Sequence, residues 1–431
     1  MSKINYAVAK VAARSSLQAI AEHMFPLMLR NIASNGWLFE GTDGCVSQPG
    51  CIIASPSHPP NSPSYPNVTD QDYVFHWTRD AAIAAMELAA SDMAPESAMD
   101  DYLTFSEKTQ QNASNLGHAC FRVDGTERAW SDQSDGPALM TMALLSGFDE
   151  YSQSMKSKAK SVIGANLNYL LQTYKGATTN LWEEASGCSF FARAVQQHCF
   201  RACLAEAGAL GLSSSMQISI QQAASDLDGM LEQHWDPGAG YYRSILGSNA
   251  GGSDLDTDVV MGAVYGGVRS TDSKLLATAA KVRRTFAGLY PINAADAQRN
   301  LGPVIGRYPE DTYDGDMAEQ PNEGHPWAPC TCNFAELYYR VAAEFARDQR
   351  VAIDALSRPF FDDIGVSSKT QVAVAVSLLR AAGDRMLWAV VFHSDNLELS
   401  EQFDRYGGFE KSVRNLTWSY ASFLSAVRAR G

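Results

Sequence analysis

Glu183 and Glu184 stand side by side beside Trp182. Like charges so close raise the pKa of at least one of them, and the neighbouring indole excludes water and pushes the same way. A carboxyl kept protonated in this way is a general acid. Glu401, in the distant run Ser400-Glu401-Gln402-Phe403-Asp404, is available as a second carboxylate. Two carboxyl groups in different protonation states, on opposite sides of the scissile bond, are what glycosidic cleavage requires. The remaining candidates suit a sugar. Tyr73, Trp77, Arg79 and Asp80 fall in one short run, Trp130 precedes Asp135-Gly136-Pro137, and Arg307 lies in Arg307-Tyr308-Pro309-Glu310-Asp311 ahead of Trp327. A pyranose stacks its CH face on aromatic rings, and its hydroxyls take charged or bidentate partners. On pattern alone, an acidic pair beside a tryptophan is more often a solvent-facing helix start than an active site.

Helices must carry these residues. Ile163, Leu167, Leu170 and Tyr174 repeat with helical period, as do Leu227, Met230, Leu231 and His234. Phe334, Leu337, Tyr338, Val341 and Phe345 form a third stripe, and Leu416, Tyr420, Phe423 and Val427 a fourth. Strand-like alternation is scarce, and the run through Val372, Val374 and Val376 is too long for an isolated strand. About a dozen helical segments follow one another, separated by Gly, Pro, Asn or Asp. Some connections are short, such as 147–150 and 210–214. Others are long and rich in Trp, Tyr, Arg and acids: 54–80, 119–135, 180–187, 247–257, 305–329 and 395–411. Elaborate loops recurring at every second helix must share one end of the molecule. The count predicts an all-α fold, a closed ring of six helical hairpins with one functional face; an open solenoid would give a similar count. Asp135 before Gly136-Pro137 reads as a helix N-cap, Asp311 as a loop brace, and Trp418 as core.

Composition narrows the partners. The chain has 431 residues, 45% of them hydrophobic, with 34 Lys and Arg against 48 Asp and Glu, a net charge of −14. Such an acidic balance argues against nucleic acid or an anionic membrane surface. No apolar run reaches the roughly 18 residues of a membrane span. Lys10, Arg14, Glu22 and Arg30 interrupt the early apolar stretches, so no secretory leader is read, and a cytoplasmic location is the default beside a processed, exported form. No linker composition divides the chain, so one domain over 1–431 is expected, as a monomer. The Pro/Ser-rich piece 55–65 leads into the aromatic run around Tyr73 and not into a second domain.

The eight cysteines are even in number. Cys45 and Cys51 bracket a Gly/Pro turn and suit a short-range disulfide in an oxidising compartment. His198, Cys199 and Cys203 have helical metal spacing but no fourth ligand, so a buried thiol pair is the better reading. Asn67, Asn112 and Asn415 head glycosylation sequons. No cofactor motif is present, and none is expected.

The ordered motifs resemble glycoside hydrolase family 15, the glucoamylases, almost from end to end. Ile53-Ala54-Ser55-Pro56-Ser57 is similar to the loop ahead of that family's first signature, His76-Trp77-Thr78-Arg79-Asp80 to its Tyr-Thr-Trp-Thr-Arg-Asp segment, and Asp135 to Leu139 to the next. Leu181 to Glu184, with Ser189-Phe190-Phe191 and Ala194-Val195-Gln196, resembles the segment bearing the general acid. Gly306 to Tyr313, Pro326-Trp327 and Cys330-Thr331 match the fifth motif, and Ser400 to Asp404 with Leu416 to Tyr420 the closing block. The resemblance implies an (α/α)6 barrel, Glu183 as general acid and Glu401 as general base of an inverting exo-hydrolase that releases β-glucose from non-reducing ends of starch-like α-glucans. Arg79 and Asp80 would grip the terminal glucose near Tyr73 and Trp77. Arg307 and Glu184 would reach the next sugar, with Trp130, Trp182 and Trp327 completing the pocket.

Departures from the family pattern are Asn180 for its aspartate, Phe403 for its tyrosine, a missing arginine after Trp130, and an insertion from Asp316 to Gly324. The insertion leaves α-1,6 substrates such as isomaltose open as an alternative, and a catalytically silent sugar-binding domain is the reading from another class. The chain also stops short of the starch-binding module that some members append.

Overall fold

The computed structural model describes residues 16–57, 71–247, 254–315 and 323–431. Asn67 and most of the Asp316–Gly324 insertion lie outside them. Six helices pack side by side into a closed ring: α2 (Thr78–Ala89), α4 (Asp135–Ser146), α6 (Phe190–Ala205), α9 (Asp258–Gly266), α12 (Ala328–Asp348) and α15 (Thr417–Arg430). Each packs on the next in that order, and α15 returns to α2. A second layer surrounds them. α1 (Leu17–Leu29) packs on α15, α3 (Ala98–Asn112) on α2, α5 (Gln153–Thr173) on α4, α8 (Ser214–Glu232) on α6, α10 (Ser273–Leu289) on α9 and α14 (Val372–His393) on α12. The short helices α7 (Ala207–Leu210), α11 (Pro291–Gln298) and α13 (Arg358–Asp362) fill corners between the layers. The protein is an all-α barrel of paired helices, as the alternation of short and elaborate loops predicts.

The core lies between the two layers. Leu139, Leu144, Val195, Phe200, Val260, Phe334, Leu337, Tyr338 and Phe423 are buried in a hydrophobic cluster that runs around the ring. Burial of such side chains stabilises by roughly 1.5–3 kcal/mol each before the entropy of ordering them is counted. Helices approach closely where the sequence is small. A Cβ at Gly266 would lie 2.5 Å from the carbonyl carbon of Ala194, so α9 nests directly on the α6 backbone.

The layers begin differently. Outer helices α1, α5, α8 and α10 are capped by Ser16, Ser152, Ser213 and Asp272, whose side chains accept from first-turn amides. Among inner helices only α6 has such a cap, from Ser189; α2, α4, α9, α12 and α15 start without one. Every inner helix is preceded by one of the elaborate loops. The inner helices therefore turn their N-terminal, partially positive ends to the loop-rich side.

Among the described residues, nine strands of two to four residues pin the connections on that side. β1 (His76–Trp77) pairs with β2 (Cys120–Phe121), β3 (Thr178–Thr179) with β4 (Ser186–Ser189), and β4 also with β7 (Ile245–Leu246). β5 (Trp235–Asp236) pairs with β6 (Tyr241–Tyr242), and β8 (Gln402–Phe403) with β9 (Glu410–Lys411).

Two local expectations are corrected. His234 lies beyond the end of α8, because its ring is engaged by the Arg243 carbonyl at 2.7 Å and by Arg193 at 3.0 Å as the chain turns into β5. Asp135 is the first residue inside α4 and not its cap, its carboxylate being taken by Arg79. Trp418 is buried as expected yet also faces the pocket described below. All eight cysteines carry free thiols, Cys45 and Cys51 included, and Cys199 and Cys203 lie buried together on α6. No described helix is long and apolar enough to cross a membrane.

Candidate active site

A cavity of about 270 Å³ opens where the six inner helices begin. Tyr73, Trp77, Arg79, Asp80, Trp130, Trp182, Glu183, Glu184, Arg307, Trp327 and Glu401 all line it. Every residue expected to act on or hold the sugar is therefore brought together, from five separate loops. Trp182, Trp327 and Trp418 are buried at its inner end, with Trp182 stacked on Trp418 at 6.3 Å and tilted on Trp327 at 5.6 Å. Trp130 is 41% exposed at the mouth, edge-on to Trp77.

Arg79 and Asp80 sit in the first turn of α2, both buried. Arg79 donates to Asp135 at 2.9 Å and to Gln133, lies 3.8 Å from Asp80 and 3.6 Å from Glu183, and its guanidinium faces the Trp418 ring at 5.8 Å. One cation thus serves three carboxylates, and its Nη groups reach the cavity. Burial pushes Asp80 up to about 6, against the opposing charge of Arg79.

Glu183 is presented by a tight turn. Its own φ is +65°, the left-handed region that costs a non-glycine residue of order 1 kcal/mol or more. Asn180 fixes that turn: its carbonyl accepts from the Glu183 N–H at 3.0 Å, and its side-chain oxygen accepts from the amides of Glu184 and Ala185 at 2.9 and 3.1 Å. The Glu183 carboxylate receives Trp130 Nε1 at 2.8 Å and Gln133 Nε2 at 2.6 Å. Glu184 turns to other partners, Arg307 at 2.8 Å and the Tyr308 hydroxyl at 2.6 Å.

Arg307 is held bidentately by Asp311, at 2.8 and 2.6 Å, which confirms Asp311 as a brace. The rings of Trp182, Tyr313 and Trp327 surround its guanidinium at 4.9–5.5 Å. Trp182 is itself anchored, its Nε1 donating to both oxygens of buried Asp256 at 3.0 and 2.9 Å. Asp256 is raised well above the carboxylate range by burial and by neighbouring Asp258.

Glu401 approaches from the opposite part of the chain. Its backbone N–H donates to Val413 and its carbonyl accepts from Ala328, tying it to the start of α12. The carboxylate is buried and accepts from Ser412 Oγ at 2.5 Å and from the Tyr313 hydroxyl at 3.2 Å. Burial pushes it up to about 7, opposed by the Ser412 hydroxyl and by the charge of Arg307. Loop 311–315 lies tightly over this corner: a Cβ at Gly315 would fall 1.8 Å from Ser412 Oγ.

Gln71, Gln133, Asp256 and Ser412 carry no motif in the sequence, and Tyr313 ends a motif without having been singled out. Only their partners reveal them, although Gln71 lies two residues before Tyr73 and Tyr313 closes the run that begins at Arg307. Asn180, noted in the sequence as a departure, proves to be the hinge pin of the Glu183 turn. Among the described residues no group of His, Cys, Asp and Glu has the makings of a metal site.

Comparison with known proteins gives a consistent result. The family model for glycosyl hydrolases family 15 matches residues 26–428. Glucoamylase 1 of Rhizopus oryzae is 30% identical over 83% of this chain, which spans 65% of that protein's length. A probable glucoamylase of Schizosaccharomyces pombe is 29% identical over 94% of this chain and 88% of its own. Among solved structures, the glucoamylase of Hormoconis resinae superposes with a TM-score of 0.79 at 26% identity, covering 96% of this chain and 73% of that one.

Proposed function

This chain belongs to glycosyl hydrolases family 15, and from that premise we propose that it is an exo-acting, inverting glucoamylase that releases β-glucose from the non-reducing ends of α-glucans. The observation that carries the proposal is that Glu183 and Glu401, far apart in sequence, line the same cavity as the Arg79–Asp80 pair. A cavity of about 270 Å³ suits a chain end better than the middle of a polymer.

In this mechanism Glu183 protonates the leaving glycosidic oxygen as the bond from the anomeric carbon breaks. Glu401 takes a proton from the water whose oxygen forms the new bond on the opposite face, so the configuration inverts. Developing positive charge on the ring is met by the carboxylates of Asp80 and Glu401 in a pocket whose inner end is walled by Trp182, Trp327 and Trp418. Arg79 and Asp80 hold hydroxyls of the terminal glucose. Arg307 and Glu184, locked together and backed by Asp311, hold those of the next residue. Glu401 near 7 exchanges protons close to neutrality, where a general base works best.

Incubation with maltose, isomaltose and soluble starch, with the anomer followed by NMR, tests the proposal. β-Glucose should appear first, fastest from the α-1,4 substrates. Release of α-glucose overturns inversion, faster isomaltose cleavage overturns the linkage, and no release with retained sugar binding identifies a silent binding domain.

A further inference from the structure

Gln71 enters the pocket from the loop ahead of β1, anchored on both sides. Asp72 accepts from Thr42 Oγ1 at 2.6 Å, and the Tyr73 N–H donates to the Ser57 carbonyl at 3.0 Å. The Gln71 amide nitrogen lies 2.5 Å from the Tyr313 hydroxyl and 3.4 Å from the Gly315 carbonyl. A carbonyl can only accept, so Gly315 fixes the orientation of the amide with its NH2 group towards both neighbours. Gln71 is therefore a donor to Tyr313 and cannot take the proton of that hydroxyl.

That hydroxyl has one proton and three further neighbours, Tyr73 OH at 3.1 Å, Glu401 Oε2 at 3.2 Å and the Ser412 hydroxyl, whose own proton goes to Glu401. Tyr73 can donate as well as accept, whereas ionised Glu401 only accepts. With Gln71 donating to the Tyr313 oxygen, the tyrosine proton is turned away from the amide, and among the acceptors on its other side the ionised Glu401 makes the stronger, charge-assisted bond.

We propose that Gln71 is a positioning residue that sets the direction of the hydrogen bond from Tyr313 to Glu401, so that the tyrosine always presents its proton to the carboxylate. The inference rests on Glu401 being the general base and adds a residue that no motif marks. Gln71 touches neither proton that moves in the reaction. It acts through Tyr313, holding the carboxylate in the ionised, correctly aimed form that can accept a proton from water. The other charged or titratable groups facing Glu401 are Arg307, Tyr73 and Tyr313, with Ser412 as a neutral donor. None of them pins the Tyr313 proton as a donor-only neighbour does.

The test is the pH profile of kcat/KM on maltose for Gln71→Met, which keeps the length and loses the donor, and for Gln71→Glu, which replaces the donor by an acceptor. Both should move the acid limb upward, by about half a pH unit or more and further for Gln71→Glu, with KM within about twofold of the parent. In a Tyr313→Phe background neither substitution should move the limb again. Gln71→Met carries the test by itself where Gln71→Glu fails to fold. Unmoved limbs in a variant of normal melting temperature overturn the proposal. So does a shift of equal size in the Tyr313→Phe background, which marks a through-space charge effect. Glu401→Gln assayed alongside separates the two levels: full turnover there overturns the general base itself, whereas a dead Glu401→Gln with unaffected Gln71 variants overturns only the role of Gln71.

Discussion

Glu183 and Glu401 meet opposite surroundings, one about a fifth exposed among nitrogen donors, the other buried among hydroxyls. Replacing either by glutamine keeps shape and most hydrogen bonds but removes the proton exchange. Glu183→Gln and Glu401→Gln should each lower kcat by about 10²–10⁴-fold while binding of a slow oligosaccharide, read by titration calorimetry, stays within a few-fold. Near-normal turnover in either variant removes that residue from the mechanism. Because burial lifts Glu401 to about 7 and Asp80 to about 6, and both are needed ionised, kcat/KM should fall with acidification well above the range of an ordinary glutamate, at a pH above about 5. An acid limb at or below about 4.5 would mean that neither group titrates as its burial dictates. At this scale the sequence was legible where a motif existed. Eleven named residues line the cavity because aromatic-acid runs are distinctive. Gln71, Gln133 and Ser412 were not, since a lone glutamine or hydroxyl acquires meaning only from a neighbour remote along the chain.

Two loops decide how those side chains are aimed. The Asn180–Ala185 turn holds Glu183 at positive φ through one side-chain oxygen that serves two amides. Asn180→Ala leaves both amides to find other acceptors, so kcat should drop by about tenfold or more with a loss in melting temperature worth only about 1–2 kcal/mol. Asn180→Asp, which retains the acceptor, should restore most of the rate. Loss of stability without loss of rate in the alanine variant would make the turn a scaffold and not an aiming device. Gly315 presses on Ser412, which in turn bonds Glu401. Gly315→Ala should therefore lower kcat more than it raises KM, measured by initial rates on maltose. Helix periods were readable because amphipathic stripes repeat. The short pins β1 to β9 were not, since two-residue strands have no period, and His234 was drawn into a helical stripe that its own hydrogen bonds end.

The whole molecule titrates as a balance of buried acids and buried histidines. Glu401, Asp80 and Asp258 are raised by burial, to about 7, about 6 and about 7, so their stabilising contribution is complete below the unfolded carboxylate value of about 4 and is lost progressively as pH rises to those values. His76 and His234 are lowered by burial, to about 3 and about 4, so theirs is complete above the unfolded value of about 6.5 and is lost as pH falls. Between about pH 4 and 6 the raised carboxyls outweigh the two lowered histidines, so the slopes balance near pH 4, and the melting temperature should peak at about that value and decline on both sides. A melting temperature that climbs steadily to pH 8 would refute the balance. The ring of six hairpins was legible from loop lengths alone. What the count left open, closure against a solenoid, is decided by α15 seating between α12 and α2. That seat has a consequence for biosynthesis. Residues 417–430 are the keystone of an arch whose other five stones have already left the ribosome, and Trp418 sits at its inner end. Until they emerge from the exit tunnel, the nascent polypeptide exposes an unfilled slot along α2 and α12 and lacks the Trp418 wall of the sugar pocket, so the growing chain stays inactive and sticky until residues 417–430 seat.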